Sequence, residues 1–139
     1  MSKINYWILP HINSNAEENF AKLIGLKNWQ FNKKPSDISV GDKVVFYISV
    51  SGDNIRYFAG EAQVADIPSE PTRRSVDGGE PGKYEISLKD ITVWDRKVYL
   101  TNEIKEELNF IKAVSNPGLA FKGKGVIKID EHDYLSIKK

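Results

Sequence analysis

Apolar residues fall on both parities of Tyr6-Trp7-Ile8-Leu9, so Ile4 to Leu9 predicts a central strand covered on both faces. Ser14 followed by Glu17 fits a capping box, and Phe20, Leu23 and Ile24 recur at helical spacing before Gly25, which predicts a helix over about 15–24. Gly41-Asp42 turns the chain into Lys43–Val50, rich in β-branched and aromatic residues, and Ser51–Asn54 closes a hairpin onto Ile55–Val64. Ala65 to Gly82 carries Pro68, Pro71, Pro81, Gly78, Gly79 and Gly82 without an apolar period, and reads as a long loop of the kind that tends to be functional or disordered. Tyr84, Ile86 and Leu88 alternate as the next strand, which Ile91 and Val93 either extend or follow with another. Thr101 caps a second helix with Ile104, Leu108 and Ile111 in register, stopped by Pro117-Gly118. Val126–Ile129 is the last strand, followed by a short turn around Tyr134 and Leu135. These elements predict an α+β fold of short, mostly antiparallel strands closed as a small barrel and flanked by two main helices, without the alternating rhythm of a parallel sheet.

A length of 139 residues fits one domain over 1–139, large enough to be stabilised by burial alone. A hydrophobic share of 40% and a charged share of 28% are those of a folded globular chain. Cysteine is absent, which removes disulfides, thiolate zinc sites and cysteine nucleophiles together. The apolar run near the start ends at Pro10-His11, too short for a signal peptide or a membrane span, so a cytoplasmic protein without membrane contact is expected. The net charge is only +1, but acidic residues gather in the helical stretches while basic pairs sit in loops, at Lys33-Lys34, Arg73-Arg74 and Lys122 with Lys124. If those loops share a rim, a nearly neutral chain can still present one positive face.

Signatures of chemistry are sparse. With only His11 and His132, no histidine pair at helical spacing can bind zinc. Gly123-Lys124-Gly125 precedes a strand, where a phosphate cradle needs a helix start. Asp130-Glu131-His132-Asp133 offers oxygens and one imidazole to a divalent ion, but the plainer reading is an N-capped, solvated turn. A Ser/His/Asp triad assembles only in space, and no G-x-S-x-G elbow points to one. No enzyme activity, metal or cofactor is expected.

The aromatic residues carry more. Trp7 is mid-strand and reads as core. Trp29 lies in Leu26-Lys27-Asn28-Trp29-Gln30-Phe31-Asn32, among polar residues with no clear period, and is either a lid over the barrel end or a ring at a pocket mouth, where base stacking is worth about 1–3 kcal/mol. Taken in order, Tyr6-Trp7-Ile8-Leu9, Asn28-Trp29, Ile38-x-x-Gly41-Asp42-x-Val44-Val45-Phe46-Tyr47 and Phe58-x-Gly60-x-Ala62 resemble the EVE domain, a relative of the PUA, YTH and ASCH folds. Tyr84-Glu85-Ile86, Leu108-Asn109-Phe110-Ile111, Gly118 to Gly125 and Glu131-x-Asp133-Tyr134 extend the resemblance over nearly the whole chain.

The resemblance implies a PUA-like barrel that takes a flipped, modified base into an aromatic cage. Trp29 would form one wall, with His11, Ile12, Asn13, Gln30 and Ser49 around the base edge. The stretch where relatives often supply another cage aromatic, Ala65–Gly82, contains none, so the opposing wall comes from Phe31, Tyr57, Trp94 or Phe121, or is aliphatic. Unstacking a base costs a few kcal/mol, about what one or two stacking contacts return, so net affinity has to come from phosphates. Arg73 and Arg74, then Lys122 and Lys124, are the candidates for those contacts. The implied partners are modified DNA or RNA and a nuclease or other effector, bound by a monomer. Two other readings stand beside this one: an enzyme or binder acting on a free modified nucleobase, nucleoside or other small molecule through the same pocket, and a protein-interaction module whose aromatics are wholly core, with Trp29 buried.

Overall fold

The computed structural model describes residues 4–13, 15–31, 38–50, 55–67, 84–112 and 127–138. In chain order these form β1 (Tyr6–Asn13), α1 (Ala16–Leu26), β2 (Asn28–Phe31), β3 (Lys43–Val50), β4 (Ile55–Asp66), β5 (Tyr84–Tyr99), α2 (Asn102–Glu107), α3 (Asn109–Lys112), β6 (Ile127–Ile129) and α4 (Glu131–Lys138). The six strands make one mixed, strongly curled half-barrel in the order β2-β5-β4-β3-β1-β6. Among the described strands only β1 and β3 run parallel, from Tyr6 opposite Lys43 to Asn13 opposite Val50, with α1 and β2 lying between them in sequence.

The predicted two-sided burial of β1 holds. Trp7 and Leu9 join a core under α1 with Phe20, Leu23, Val44, Phe46 and Ile48. Ile8 faces the other way, into a second core of Val45, Tyr47, Phe58, Leu108, Ile111, Ile129 and Ile137. The buried indole of Trp7 is satisfied: its Nε1 donates to Asp42 Oδ2 at 2.8 Å, and the same carboxylate accepts from the backbone N–H of Ser39 at 2.9 Å and of Asn5 at 3.2 Å. Asp42 is thus more than the turn residue its neighbour Gly41, at φ 95°, suggests.

Several boundaries differ from the sequence reading for identifiable reasons. Helix α1 runs through Gly25 to Leu26 and ends on Lys27 in the left-handed conformation, its N–H bonded to Ile24 O at 3.1 Å. Asn15 occupies the N-cap without a side-chain cap bond, and Ser14 lies outside the described residues. The second predicted helix is broken at Leu108, which is extended (φ −92°, ψ 115°), although Leu108 and Ile111 still enter one core. Thr101 caps α2 as expected, accepting from Ile104 N–H at 3.3 Å. Strand β4 continues to Asp66, past the predicted loop start at Ala65; positions 68–83 lie outside the described residues.

The expected turn at Tyr134 is helix α4. Asp130 caps it, Oδ1 accepting from Asp133 N–H at 2.8 Å, and this bond, with a second from the Asn109 amide, holds the Asp130 carboxyl below its ordinary pKa. Asp133 is buried and accepts from Asn109 N–H at 2.7 Å, while Asp130, Glu131 and His132 stay exposed, so the acidic tetrad is N-capped and mostly solvated as expected, but as a helix start stitched to α3 rather than a turn.

Ile91 and Val93 extend β5, a 16-residue strand that stays paired to β4 by shifting register three times. Gly60 sits at one shift, where a Cβ would press on the backbone oxygen of Thr92 and come within 3.0 Å of Val93 Cα. Gly60→Ala is therefore expected to lower stability by about 1–3 kcal/mol, the usual cost of overpacking, read as a shift in the urea midpoint at constant slope.

Candidate functional site

Strand β2 brings Trp29 under α1. Four residues with two polar side chains carry little strand signal, yet pairing with Tyr84–Ser87 of β5 fixes them, with Trp29 opposite Ile86. The ring is 2% exposed and stacks on Phe46 at 5.1 Å and 24°. Phe20 meets it edge-on at 6.2 Å, and His11, at the far end of β1, at 6.0 Å and 84°. Trp29 is thus closed in rather than displayed at a pocket mouth. The strand alternation that turns it away from solvent turns it into the α1 core.

Asn19 lies in the same layer. It is three residues from Ala16 and four from Leu23, on the α1 face that packs against the sheet, and is 2% exposed. Among the described residues its Nδ2 has no hydrogen-bond partner, and a buried donor left bare costs about 1–3 kcal/mol. A polar residue on the apolar stripe of an amphipathic helix is the signal that could have marked it in the sequence.

The other expected site residues divide. His11 stands beside Trp29. Tyr57 is buried in the same core, 3% exposed. Its hydroxyl lies well above the ordinary tyrosine pKa, through burial first and then the carboxylate of Glu17, to which it hydrogen-bonds. Ser49 is not brought to the ring: it shares its side of β3 with Val45 and Tyr47, which face the second core, whereas Phe46 and Ile48 face Trp29. There it hydrogen-bonds to Tyr47, whose hydroxyl burial pushes up to about 12 against the opposing effects of Arg56 and that bond. Trp94 also packs against the second core, with Val98 and Ile104, and is not an opposing wall to Trp29. The side chains of Ile12, Asn13, Gln30 and Phe31, and all of Arg73, Arg74, Phe121, Lys122 and Lys124, lie outside the described residues.

Among the described residues, no group of three or more His, Cys, Asp or Glu side chains could hold a metal ion. No described helix is long and apolar enough to cross a membrane.

A mixed half-barrel with one aromatic cluster sealed beneath its first helix is a small α+β fold of the PUA-like class. Within that class the chain belongs to the EVE domain family, whose model matches residues 5–139. It is similar in fold to a hypothetical protein from Leishmania major (20% identity, TM-score 0.65, covering 98% of this chain and 93% of that one). It is also similar to a Pseudomonas putida protein (16%, TM-score 0.60, covering 96% and 97%). A third likeness is to the YTH domain of the Zygosaccharomyces rouxii MRB1 protein in complex with N6-methyladenosine RNA (14%, TM-score 0.62, covering 99% and 86%). At these identities the likeness establishes the fold. No curated protein matches the chain.

Proposed function

We propose that this EVE domain is a non-catalytic reader that binds nucleic acid carrying a modified base, taking the flipped base into the Trp29 cluster beneath α1. The observation that carries the proposal is the buried Asn19 amide: an unpartnered donor in a layer of aromatic rings is a defect in a core and an asset in a slot for a heterocycle. A base edge supplies the missing acceptor, and Trp29 the stacking face. Family membership and the fold shared with an RNA-bound YTH domain support the same ligand class.

Because Phe46 occupies one face of Trp29, the base takes the other, and that face has to open on binding. His11 lines the slot, and Gln30, Phe31, Ile12 and Asn13 are assigned to the base edge. Arg73 and Arg74, with Lys122 and Lys124, are assigned to phosphates.

Asn19→Leu tests the proposal. Replacing an unsatisfied buried amide by an apolar side chain of similar size should leave stability unchanged or raise it by up to about 1 kcal/mol. Affinity for a modified oligonucleotide should fall by about tenfold or more, the worth of a hydrogen bond whose partner is otherwise left bare. Unchanged affinity in a folded Asn19→Leu protein would remove the amide from the site and favour the view that the aromatics are core alone.

A further inference from the structure

A cavity lies away from Trp29, on the opposite stretch of β5. An open groove of about 900 Å³ runs along Trp94–Tyr99, the stretch of β5 beyond its pairing with β2, and is floored by Thr101, Ile104 and Lys138. Here β5 has β4 on one side and, among the described residues, no strand on the other. Tyr99 and Val93 are each 50% exposed, and Trp94 is half-buried, so aromatic and aliphatic surface faces water along a strand edge.

Basic side chains interleave with these rings. Arg96 is exposed on the strand, Lys97 lies 4.8 Å over the ring of Tyr57, and Lys138 reaches in from α4. Lys97 is lightly held, meeting Glu17 at 3.5 Å with both side chains about half exposed, and an exposed pair of this kind contributes little and can be exchanged for a phosphate. Lys138 is held more firmly, meeting the largely buried Glu61 at 3.2 Å and lying 5.2 Å over the Tyr134 ring. Asp95 and Glu103 also line the groove, which limits its net charge and argues for a few placed phosphates rather than a polyanion sink.

Register places Tyr57 beside Tyr99, with their rings 5.7 Å apart, so the groove adjoins the Trp29 core at Tyr57, while Trp94, Val98 and Ile104 of its lining pack against the second core.

We propose that this groove is a second contact for the same strand, in which a flanking single-stranded nucleotide stacks on Tyr99 while Arg96, Lys97 and Lys138 hold the adjoining phosphates. This rests on the base-reading proposal for its starting point, but the groove has its own readout. Stacking platforms interleaved with basic residues are how single strands are held without sequence preference. A groove of this kind gives the domain affinity for the strand, and the base slot gives it choice.

The test uses the full chain and two N6-methyladenosine probes, a trinucleotide and an oligonucleotide of about nine residues that places four on either side of the base. Both are also prepared unmodified, and as DNA. Lengthening should tighten binding by about tenfold or more, one stacked base being worth that much. Tyr99→Ala should cancel the gain while leaving the trinucleotide unaffected, and Tyr99→Phe, which keeps the ring, should restore it. Arg96→Ala should reduce the salt slope for the long probe by about 0.7, the contribution of one phosphate on a single strand. No gain on lengthening, or a Tyr99→Ala protein that melts like the parent and binds the long probe equally well, overturns the proposal and leaves the β5 edge to a protein strand. The two proposals fail separately. Equal binding of modified and unmodified long probes, both weakened by Tyr99→Ala, sinks base reading and keeps the groove; a modified trinucleotide preferred over its unmodified twin, with no gain from length, does the reverse.

Discussion

Trp29→Ala is expected to lose both binding and stability. The ring is 2% exposed and wedged among Phe46, Phe20 and His11, so truncation opens a large cavity and costs about 3–5 kcal/mol of folding free energy. Folded proteins of this size hold only about 5–15 kcal/mol in reserve, so the melting temperature should drop by on the order of 10 °C or more. Affinity for a modified oligonucleotide should fall by a further factor set by one lost stacking contact, about 1–3 kcal/mol. Trp29→Phe separates the two effects. A phenyl ring fills part of the space and keeps much of the stability, but offers a base less stacking area and no indole N–H. Thermal melts and binding isotherms on both variants provide the check. Parent-like affinity in folded Trp29→Phe, together with Trp29→Ala binding as well as its folded fraction allows, would take Trp29 out of the site and leave it a core residue.

Asp42→Ala is expected to be the most damaging polar substitution. One carboxylate, 3% exposed, satisfies the Trp7 indole and two backbone N–H groups, tying the start of β1 to the turn that enters β3. Its removal leaves the indole N–H of Trp7 buried and bare, at about 1–3 kcal/mol, and gives up charge-assisted bonds to Ser39 and Asn5, for a total near 3 kcal/mol. Because the loss runs largely through the indole, Trp7→Phe should be less costly in the Asp42→Ala background than in the parent. A coupling of about 1–2 kcal/mol between the two positions, measured by denaturant unfolding, is the expected outcome. Additive effects would mean that the carboxylate acts only through the backbone.

What the sequence revealed and what it hid follow from how local each cause is. The two-sided apolar run of β1, the stripe Phe20, Leu23 and Ile24 of α1, and the β-branched core of β3 all announce themselves within a few residues, and all form, although β1 starts at Tyr6 and runs through Pro10 to Asn13, past the expected end at Leu9, and α1 runs on to Leu26. Strand β2 could not, because Asn28 and Gln30 carry no strand preference and the element exists through its pairing with β5, far along the chain. Helix α4 was hidden for a similar reason: its sequence is mostly polar, and its capping by Asp130 and the burial of Tyr134 and Ile137 depend on α3 and β4. In the site, the identity and aromatic company of Trp29 were legible while its burial was not, since edge pairing decides which way the ring turns. Ser49 and Trp94 were misgrouped with Trp29 because one register step on β3 or β5 moves a side chain to the other face of the sheet. Asn19 has the residue type of an ordinary polar helix position, although its place between Ala16 and Leu23 puts it inside.

Base reading is tested most directly by the ratio of affinities of the parent protein for paired oligonucleotides identical except for the modification, with N6-methyladenosine RNA, N6-methyladenine DNA and 5-methylcytosine DNA each set against the unmodified strand. One buried methyl group alone contributes about 0.8 kcal/mol, roughly a fourfold preference. A slot that also engages the base edge should exceed that for at least one modification, and that preference should vanish in Asn19→Leu. Ratios near one across the panel, with a protein that still binds single strands, would contradict the account.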